Sequence, residues 1–188
     1  MAEVLLYNVA DSYDLEKFES LCKADNVGIR EYGKEALDQR IGYLLDIEGY
    51  EKNDQILEDD PSIDFPFILF VGFERNQLFK FLDDMRNNGL SIQHKANETE
   101  NNVKWTLREL LIENDKEGKT MGLIHRINGL TKRYDQLKAE HGEDEKIKSL
   151  LAEMEGYFND QSIFELEVAG EYLNKLVWEV TRFEEEHK

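Results

Sequence analysis

Two short apolar runs mark the beginnings of two similar segments in the first two thirds of the chain. The sequence VLLYNV occupies Val4 to Val9, and FILFVG occupies Phe67 to Gly72, 63 residues later. Short apolar runs of this kind are typical of strands that are buried on both faces of a sheet. The two runs therefore predict two buried strands and suggest that the chain repeats itself.

The residues that follow each run keep the same spacing. At an offset of 63, apolar positions pair as follows: Leu15 with Leu78, Phe18 with Phe81, Cys22 with Met85, Val27 with Leu90, and Ile29 with Ile92. The first three positions of each copy are spaced i, i+3 and i+7, as on one face of a helix. The repeat predicts a strand, a helix and a strand in each copy. It also predicts that Cys22 is a core residue rather than a reactive thiol.

Another helix is predicted after the second strand of each copy, where the offset grows to 66. Its apolar face consists of Leu37, Ile41, Leu44 and Leu45 in the first copy and of Val103, Leu107, Leu110 and Leu111 in the second. We assign the three additional residues to the polar loop KANETENN, residues 95–102. The copies then cover residues 3–46 and 66–112. Between them, residues 46–65 are rich in acids and predict a solvated linker.

The predicted fold is α/β, with an internally duplicated β-α-β-α core. Right-handed crossovers make the two strands of each copy parallel. A four-stranded, largely parallel sheet in the order 2-1-3-4 is the simplest arrangement, and the sequence leaves the relative direction of the two copies open. This duplicated α/β domain is expected to cover residues 1–115.

The remaining residues, 116–188, predict a helical extension. Leu123, Ile127, Leu130, Tyr134 and Leu137 form one heptad seam, and Leu166, Ala169, Leu173, Leu176, Val180 and Phe183 form another. The breaks HGED at 141–144 and FND at 158–160 delimit a shorter helix between them. Ser162 and Glu165 have the spacing of a capping box for the last helix. We expect a helical hairpin or a three-helix appendage, with the seams closing within one chain or between chains.

The stretch KWTLRELL carries one large apolar side chain that the sheet does not need. On a helical wheel, Trp105 points away from the leucine face and shares a second stripe with Ile112. The first copy has the polar residues Gln39 and Asp46 at the equivalent positions. Trp105 and Ile112 are therefore a predicted interaction surface, and we expect the C-terminal helices of the same chain or a second copy to bury Trp105.

Three quoted stretches of the second copy resemble a known family. FILFVGF, NQLFKFLDDMRNNGLSI and KWTLRELL, within about residues 67–115, resemble a bacterial family catalogued as domain of unknown function 3783. The resemblance implies no activity, no cofactor and no catalytic residue.

Charge and cysteine content narrow the classes of partner. The chain has 23 Lys and Arg against 41 Asp and Glu, a net charge of -18, which repels the phosphates of a nucleic acid. The N-terminal sequence lacks a basic leader, and no apolar run approaches the length of a membrane span. The single cysteine, Cys22, fits a reducing compartment. We expect a cytoplasmic protein that binds neither nucleic acid nor membrane.

The candidate ligand-binding or catalytic residues lie at the carboxyl ends of the predicted strands, where open parallel sheets bind ligands. Asp11 and Ser12 follow the first strand, Glu74 and Arg75 follow the third, and His94 follows Ile92 at the end of the fourth. These residue types are also ordinary helix caps and turn residues. The sequence contains no glycine-rich phosphate loop, and its histidines and acids lack metal-ligand spacing, so no cofactor and no metal are expected.

Two functions from different classes fit these patterns. The favoured one is a non-enzymatic protein-interaction or scaffold module that uses its helical extension to bind a partner protein or a second copy. The alternative is a small-ligand-binding domain or an enzyme, with Asp11, Ser12, Glu74, Arg75 and His94 at the strand ends.

Overall fold

The computed structural model of the chain describes residues 1–9, 13–55, 57 and 61–188. Within them the chain divides into two compact units: an α/β unit, Met1–Lys116, and a helical unit, Glu117–Lys188. Among the described residues, no helix is long and apolar enough to span a membrane.

The α/β unit contains the predicted four-stranded sheet. Its elements are β1 (Glu3–Tyr7), α1 (Leu15–Ala24), β2 (Gly28–Tyr32), α2 (Ile41–Leu44), β3 (Phe67–Val71), α3 (Arg75–Asn87), β4 (His94–Asn97) and the first turns of α4 (Leu107–His141). The strand order is β2-β1-β3-β4, as predicted. Strands β1 and β2 are parallel, β3 and β4 are parallel, and β1 and β3 are antiparallel. The largely parallel α/β fold is therefore confirmed, with one antiparallel pair at its centre.

Antiparallel pairing joins equivalent residues of the two copies. Leu5 pairs with Leu69 in the middle of β1 and β3, and both side chains belong to the same apolar layer, so the two strands are offset by 64 residues rather than the predicted 63. Outside the sheet, Arg40 and Thr106, which precede α2 and α4, form a second antiparallel bridge. Equivalent residues meet in this way when two copies are related by a two-fold axis, as in an isologous dimer. Apart from the shift of one residue in the strands, both pairings therefore agree with the predicted repeat.

Left-handed backbone positions also recur in both copies. After the first strand of each copy, Asn8 has φ +48° and Gly72 has φ +65°. After the following helix, Asn26 has φ +56° and Gly89 has φ +72°. Glycine and asparagine are the residues that adopt this conformation most readily. The same two turns therefore follow the same elements in both copies.

Alternating sheet residues fill two apolar layers. On one face, the helices α1 and α3 contribute Phe18, Cys22, Phe81 and Met85. On the opposite face, α2 and the start of α4 contribute Ile41, Leu44, Leu107, Leu110 and Leu111. Cys22 is a core residue, as predicted, and its burial raises the pKa of the thiol to about 12.

The second strand of the second copy lies further along the chain than predicted. Strand β4 begins at His94, whereas Leu90 and Ile92 lie in the connection before it and are buried. The additional residues of the second copy therefore precede β4 and do not fall in 95–102. Leu90 and Ile92 alternate with polar residues, which is a pattern typical of a strand. In the structure their side chains pack in the apolar layer that contains α3.

The acidic linker is not simply solvated. Tyr50 packs so closely on Gly42 that a Cβ there would lie 2.5 Å from its ring, and Ile63 is 2% exposed. The amide of Gln39 donates to the Asn53 carbonyl at 2.7 Å and accepts from the Asn53 N–H at 2.8 Å. Residues 56 and 58–60 lie outside the description. The acidic composition of the linker did not predict these apolar contacts and side-chain hydrogen bonds.

The helical unit contains the end of α4, α5 (Glu145–Asn159) and α6 (Leu166–Glu186). Its core is formed by Tyr134, Ile147, Leu150, Met154, Leu176, Val180 and Phe183. The heptad seams therefore pack against one another within the chain, in a helical region of the kind predicted.

Polar contacts fix the two turns of the helical unit. Asp144 caps α5 by accepting from two backbone N–H groups, and its second oxygen binds Arg182 at 2.8 Å. The predicted capping box before α6 is wrong, because the cap residue Glu165 makes no side-chain capping bond. The Ser162 hydroxyl instead donates to the Asp160 carboxylate, which also accepts from the Ser162 N–H. The hydroxyl is therefore not used to cap α6.

Candidate functional site

The strand-end candidates on the second copy lie at the start of α3. Glu74 precedes the helix without capping it, and Arg75 is its first residue. The Arg75 guanidinium lies 5.7 Å from the centre of the Phe79 ring, a cation–π distance. Asp11 and Ser12, the candidates on the first copy, lie outside the described residues.

His94 lies at the other end of the sheet. It begins β4 and pairs with Phe67, the first residue of the parallel strand β3. Its imidazole stacks on Phe65, with ring centres 4.1 Å apart. The expectation that His94 shares an edge with Arg75 is therefore wrong, because His94 begins its strand rather than ending it.

A groove separates α3 from the edge strand β4, and we call it the α3–β4 groove. It has a volume of about 500 Å³. Its apolar lining includes Phe73, Leu78, Phe79 and Leu82, and its polar lining is Arg75, Lys95, Asn97 and Glu98. Sequence reasoning identified Arg75 but not Lys95 or the aromatic floor. Arg75 is thus a predicted site residue that lines a defined cavity.

The first copy has a counterpart of this groove at the equivalent strand ends. It is smaller, about 330 Å³, and is lined by Leu6, Asn8, Val9, Leu15, Glu31, Tyr32 and Gly33. Glu31 occupies the position that Asn97 has in the second copy. The described lining of this smaller groove contains no cation. The two grooves share their place in the fold but differ in the sign of their charge.

Trp105 and Ile112 are solvent-accessible. Their exposed fractions are 37% and 44%. Trp105 is thus not fully buried, and its burial by the C-terminal helices or by a second copy stays a prediction. Trp105 ends a 3-10 turn before α4 begins at Leu107, so a helical wheel does not describe where its indole points. Its carbonyl accepts from the Ile41 N–H at 2.9 Å and helps to join the two copies.

The α4 helix begins with a capping box that sequence reasoning missed. The Thr106 hydroxyl accepts from the Glu109 N–H at 3.1 Å, and the Glu109 carboxylate accepts from the Thr106 N–H at 2.8 Å. The signal is present as T-L-R-E within KWTLRELL. This part of the stretch therefore serves to start a helix.

An almost buried ion pair links the two copies. Arg108 donates to both oxygens of Asp38, at 2.7 and 3.1 Å, and the two side chains are only 11% and 7% exposed. The Leu57 N–H also donates to Asp38, at 2.8 Å. The hydrogen bond from Arg108 lowers the pKa of the Asp38 carboxyl. The pair is satisfied within the fold and holds it together, so it is not a candidate reaction centre.

A third groove lies within the helical unit, and we call it the helical groove. It has a volume of about 530 Å³ and is lined by Thr120, Ile124, Ile127, Asn128, Phe158 and Phe164. None of these residues is charged. Met121 and Ile163, each adjacent in sequence to a lining residue, are 47% and 53% exposed. The apolar seam thus continues into an open surface at this end of the unit.

None of the three grooves is accompanied by a described metal cluster. Across residues 1–9, 13–55, 57 and 61–188, no group of three or more His, Cys, Asp or Glu side chains is placed to hold a metal ion.

Comparison with known proteins identifies one segment of the chain. The chain has no significant match among curated proteins and none among solved structures. The model of a family described as a domain of unknown function (DUF3783) matches residues 66–121. The matched segment contains β3, α3, β4 and the start of α4. Residues 66–121, which include the second copy of the repeat, are therefore similar to domains of the DUF3783 family.

Proposed function

We propose that the protein is a non-enzymatic interaction module whose helical groove binds an amphipathic helix of a partner protein. The observation that carries the proposal is the groove's lining, which is apolar but for Thr120 and Asn128 and has no charged side chain. Helices recognised by grooves of this kind insert apolar side chains spaced i, i+3 or i+4, and i+7.

The packing of the helical unit supports this occupant. The core side chains of the unit, which include Tyr134 and Phe183, are at most 9% exposed. Around Ile124 and Phe164 the corresponding side chains are only partly buried. A further helix lying in the groove would complete the core, and burial of its apolar side chains would contribute about 25 cal/mol for each Å² removed from water.

The positions of reactive groups in the α/β unit support a non-enzymatic role. The Cys22 thiol is buried and has a raised pKa, so it remains protonated and unreactive near neutral pH. The imidazole of His94 is stacked on Phe65. The proposal places the protein in the cytoplasm of a bacterium, in keeping with one reduced cysteine and with the family resemblance.

Affinity capture with the full chain tests the proposal. Wild-type protein, an Ile124→Asp variant and a Trp178→Asp variant are used as baits in lysate of the source organism. Trp178 is a matched control because it lies in the helical unit, outside the groove, and is 63% exposed. We expect one partner to be retained by wild type and Trp178→Asp and lost from Ile124→Asp.

A direct titration must then reproduce that pattern. The helical segment of the captured partner, added to purified bait, should bind at least about tenfold more weakly to Ile124→Asp than to wild type. Equal affinities for the two baits would contradict the proposal. A doubling of the 22.1 kDa mass that Ile124→Asp abolishes would make a second copy the occupant instead.

A further inference from the structure

The α3–β4 groove combines an apolar floor with cations that lack carboxylate partners. On α3, Lys80 is paired with Asp84 and Arg86 with Asp83. By contrast, neither Arg75 nor Lys95 forms an ion pair with any carboxylate in the described part of the chain. In a protein with a net charge of -18, two unpaired cations lining one cavity are available to an anion.

The groove holds these groups in place for a ligand. The Lys95 ammonium donates to the Ile92 carbonyl at 3.0 Å, which fixes its position without neutralising its charge. The ring of Phe79 is 54% exposed, with Arg75 over its face. Glu98, the only acid among the described lining residues, accepts from the Gly72 N–H at 3.3 Å. Two cations and one acid leave a single excess positive charge, which matches a monoanion better than a phosphate dianion.

Strand addition by a peptide is disfavoured at this edge of the sheet. The main-chain carbonyl of Lys95 accepts from the Asn114 side-chain amide at 3.0 Å, and that of Asn97 accepts from the Asn102 amide at 2.8 Å. A peptide that extended the sheet beyond β4 would have to displace both amides. An occupant of the groove must therefore be bound mainly by side chains.

The first copy provides an internal comparison. By the repeat, Glu16 corresponds to Phe79. By the register of the sheet, Ile29 on β2 takes the place of Lys95 on β4, because Ile29 pairs with Val4 and Lys95 pairs with Ile68. The described lining of the counterpart groove in that copy has one acid, Glu31, and one aromatic residue, Tyr32, but no cation. The combination of aromatic and cationic groups is thus particular to the second copy and is not a consequence of the repeated fold.

We propose that the α3–β4 groove binds a small organic monoanion, a carboxylate attached to an aromatic or branched aliphatic body. The body lies on Phe79 and the neighbouring apolar side chains, and Arg75 and Lys95 attract the carboxylate. The volume of about 500 Å³ is within the range of metabolite sites. This binding site is in the α/β unit and does not depend on the helical groove.

Amide NMR of the full chain tests the site with a matched pair of probes. The anion is 3-phenylpropanoate, and its neutral analogue is 3-phenylpropanamide. We expect saturable shifts of the Gly72 and Asn97 amides with the anion, and affinity about three- to tenfold lower for the neutral analogue. The Asn8 and Gly33 amides of the counterpart groove should not move.

Substitutions separate the charge from the apolar floor. Arg75→Gln and Lys95→Gln should each weaken the anion about three- to tenfold and leave the neutral probe unchanged, and Phe79→Ala should weaken both probes. Lys80→Gln, on the same helix but outside the groove, is the matched control and should change neither. Equal affinity for the two probes, no saturable shift up to about 10 mM, or unchanged binding in Arg75→Gln would overturn the proposal.

Discussion

The α/β unit and the helical unit differ in how completely each closes its own core. In the α/β unit, helices cover both faces of the sheet, and the large side chains between them, such as Phe18 and Phe81, are inaccessible to solvent. The helical unit is filled around Tyr134 and Phe183 but open around Ile124 and Phe164. The first unit is therefore complete as a fold, whereas the second retains apolar surface that a partner can bury.

The largest effect is expected in the closed layer of the α/β unit. Phe81→Ala removes a fully buried ring that packs edge-on against Phe18 and Phe70. It should lower the free energy of unfolding by about 3 to 5 kcal/mol. Phe79→Ala, two residues earlier on α3, removes a ring that is 54% exposed and should cost about 1 kcal/mol or less. Urea unfolding of both variants measures the contrast, and similar losses would show that the layer is not closed as described.

The ion pair between the two copies should produce the next largest effect, and one that depends on pH. Asp38→Asn leaves Arg108 nearly buried without its carboxylate, which should cost about 3 kcal/mol near neutral pH. Arg108 lowers the pKa of Asp38 in the folded protein. The contribution of the pair is therefore fully present above the unfolded-state pKa of about 3.9 and is lost as pH falls through the lower folded value.

Denaturant unfolding of wild type and Asp38→Asn at several pH values measures this dependence. The difference between their free energies of unfolding should be constant near neutral pH and should shrink below about pH 4. A difference that grew on acidification would mean that the folded state raises the pKa of Asp38 instead.

A smaller effect distinguishes the closed and open ends of the helical unit. The buried Tyr134 hydroxyl accepts from the Asp144 N–H at 3.0 Å, and the more accessible Tyr157 hydroxyl accepts from the Glu165 N–H at 2.7 Å. Tyr134→Phe should cost about 1 kcal/mol because a poorly hydrated donor loses its partner. Tyr157→Phe should cost about 0.5 kcal/mol or less because water can replace the hydroxyl. Thermal unfolding that ranked the two variants in the opposite order would contradict this difference between the ends.

The repeat made much of the α/β fold predictable from the sequence. Buried strands and helix faces leave periodic apolar patterns, and the duplication of those patterns predicted the order of the four strands. It failed at β4, an exposed edge strand of sequence HKAN with no apolar run of its own. The buried connection containing Leu90 and Ile92 carried the pattern instead.

The grooves could not be predicted in the same way. The packing of the helices on the sheet decides which side of α3 remains exposed. A local sequence pattern does not predict this packing. Trp105 was placed on a helical wheel although α4 begins two residues later. Asp38 and Arg108 are 70 residues apart and meet only because the pairing of the two copies brings the starts of α2 and α4 together.

Hydrogen exchange of the full chain, with and without its captured partner, tests the helical groove most directly. The account predicts that the partner slows exchange around Ile124 to Asn128 and around Phe158 to Phe164, the two segments that line the groove. Exchange around Tyr134 and Phe183, where the unit is already filled, should remain unchanged. Protection confined to the exposed face around Trp178, with no change in either groove segment, would contradict the account.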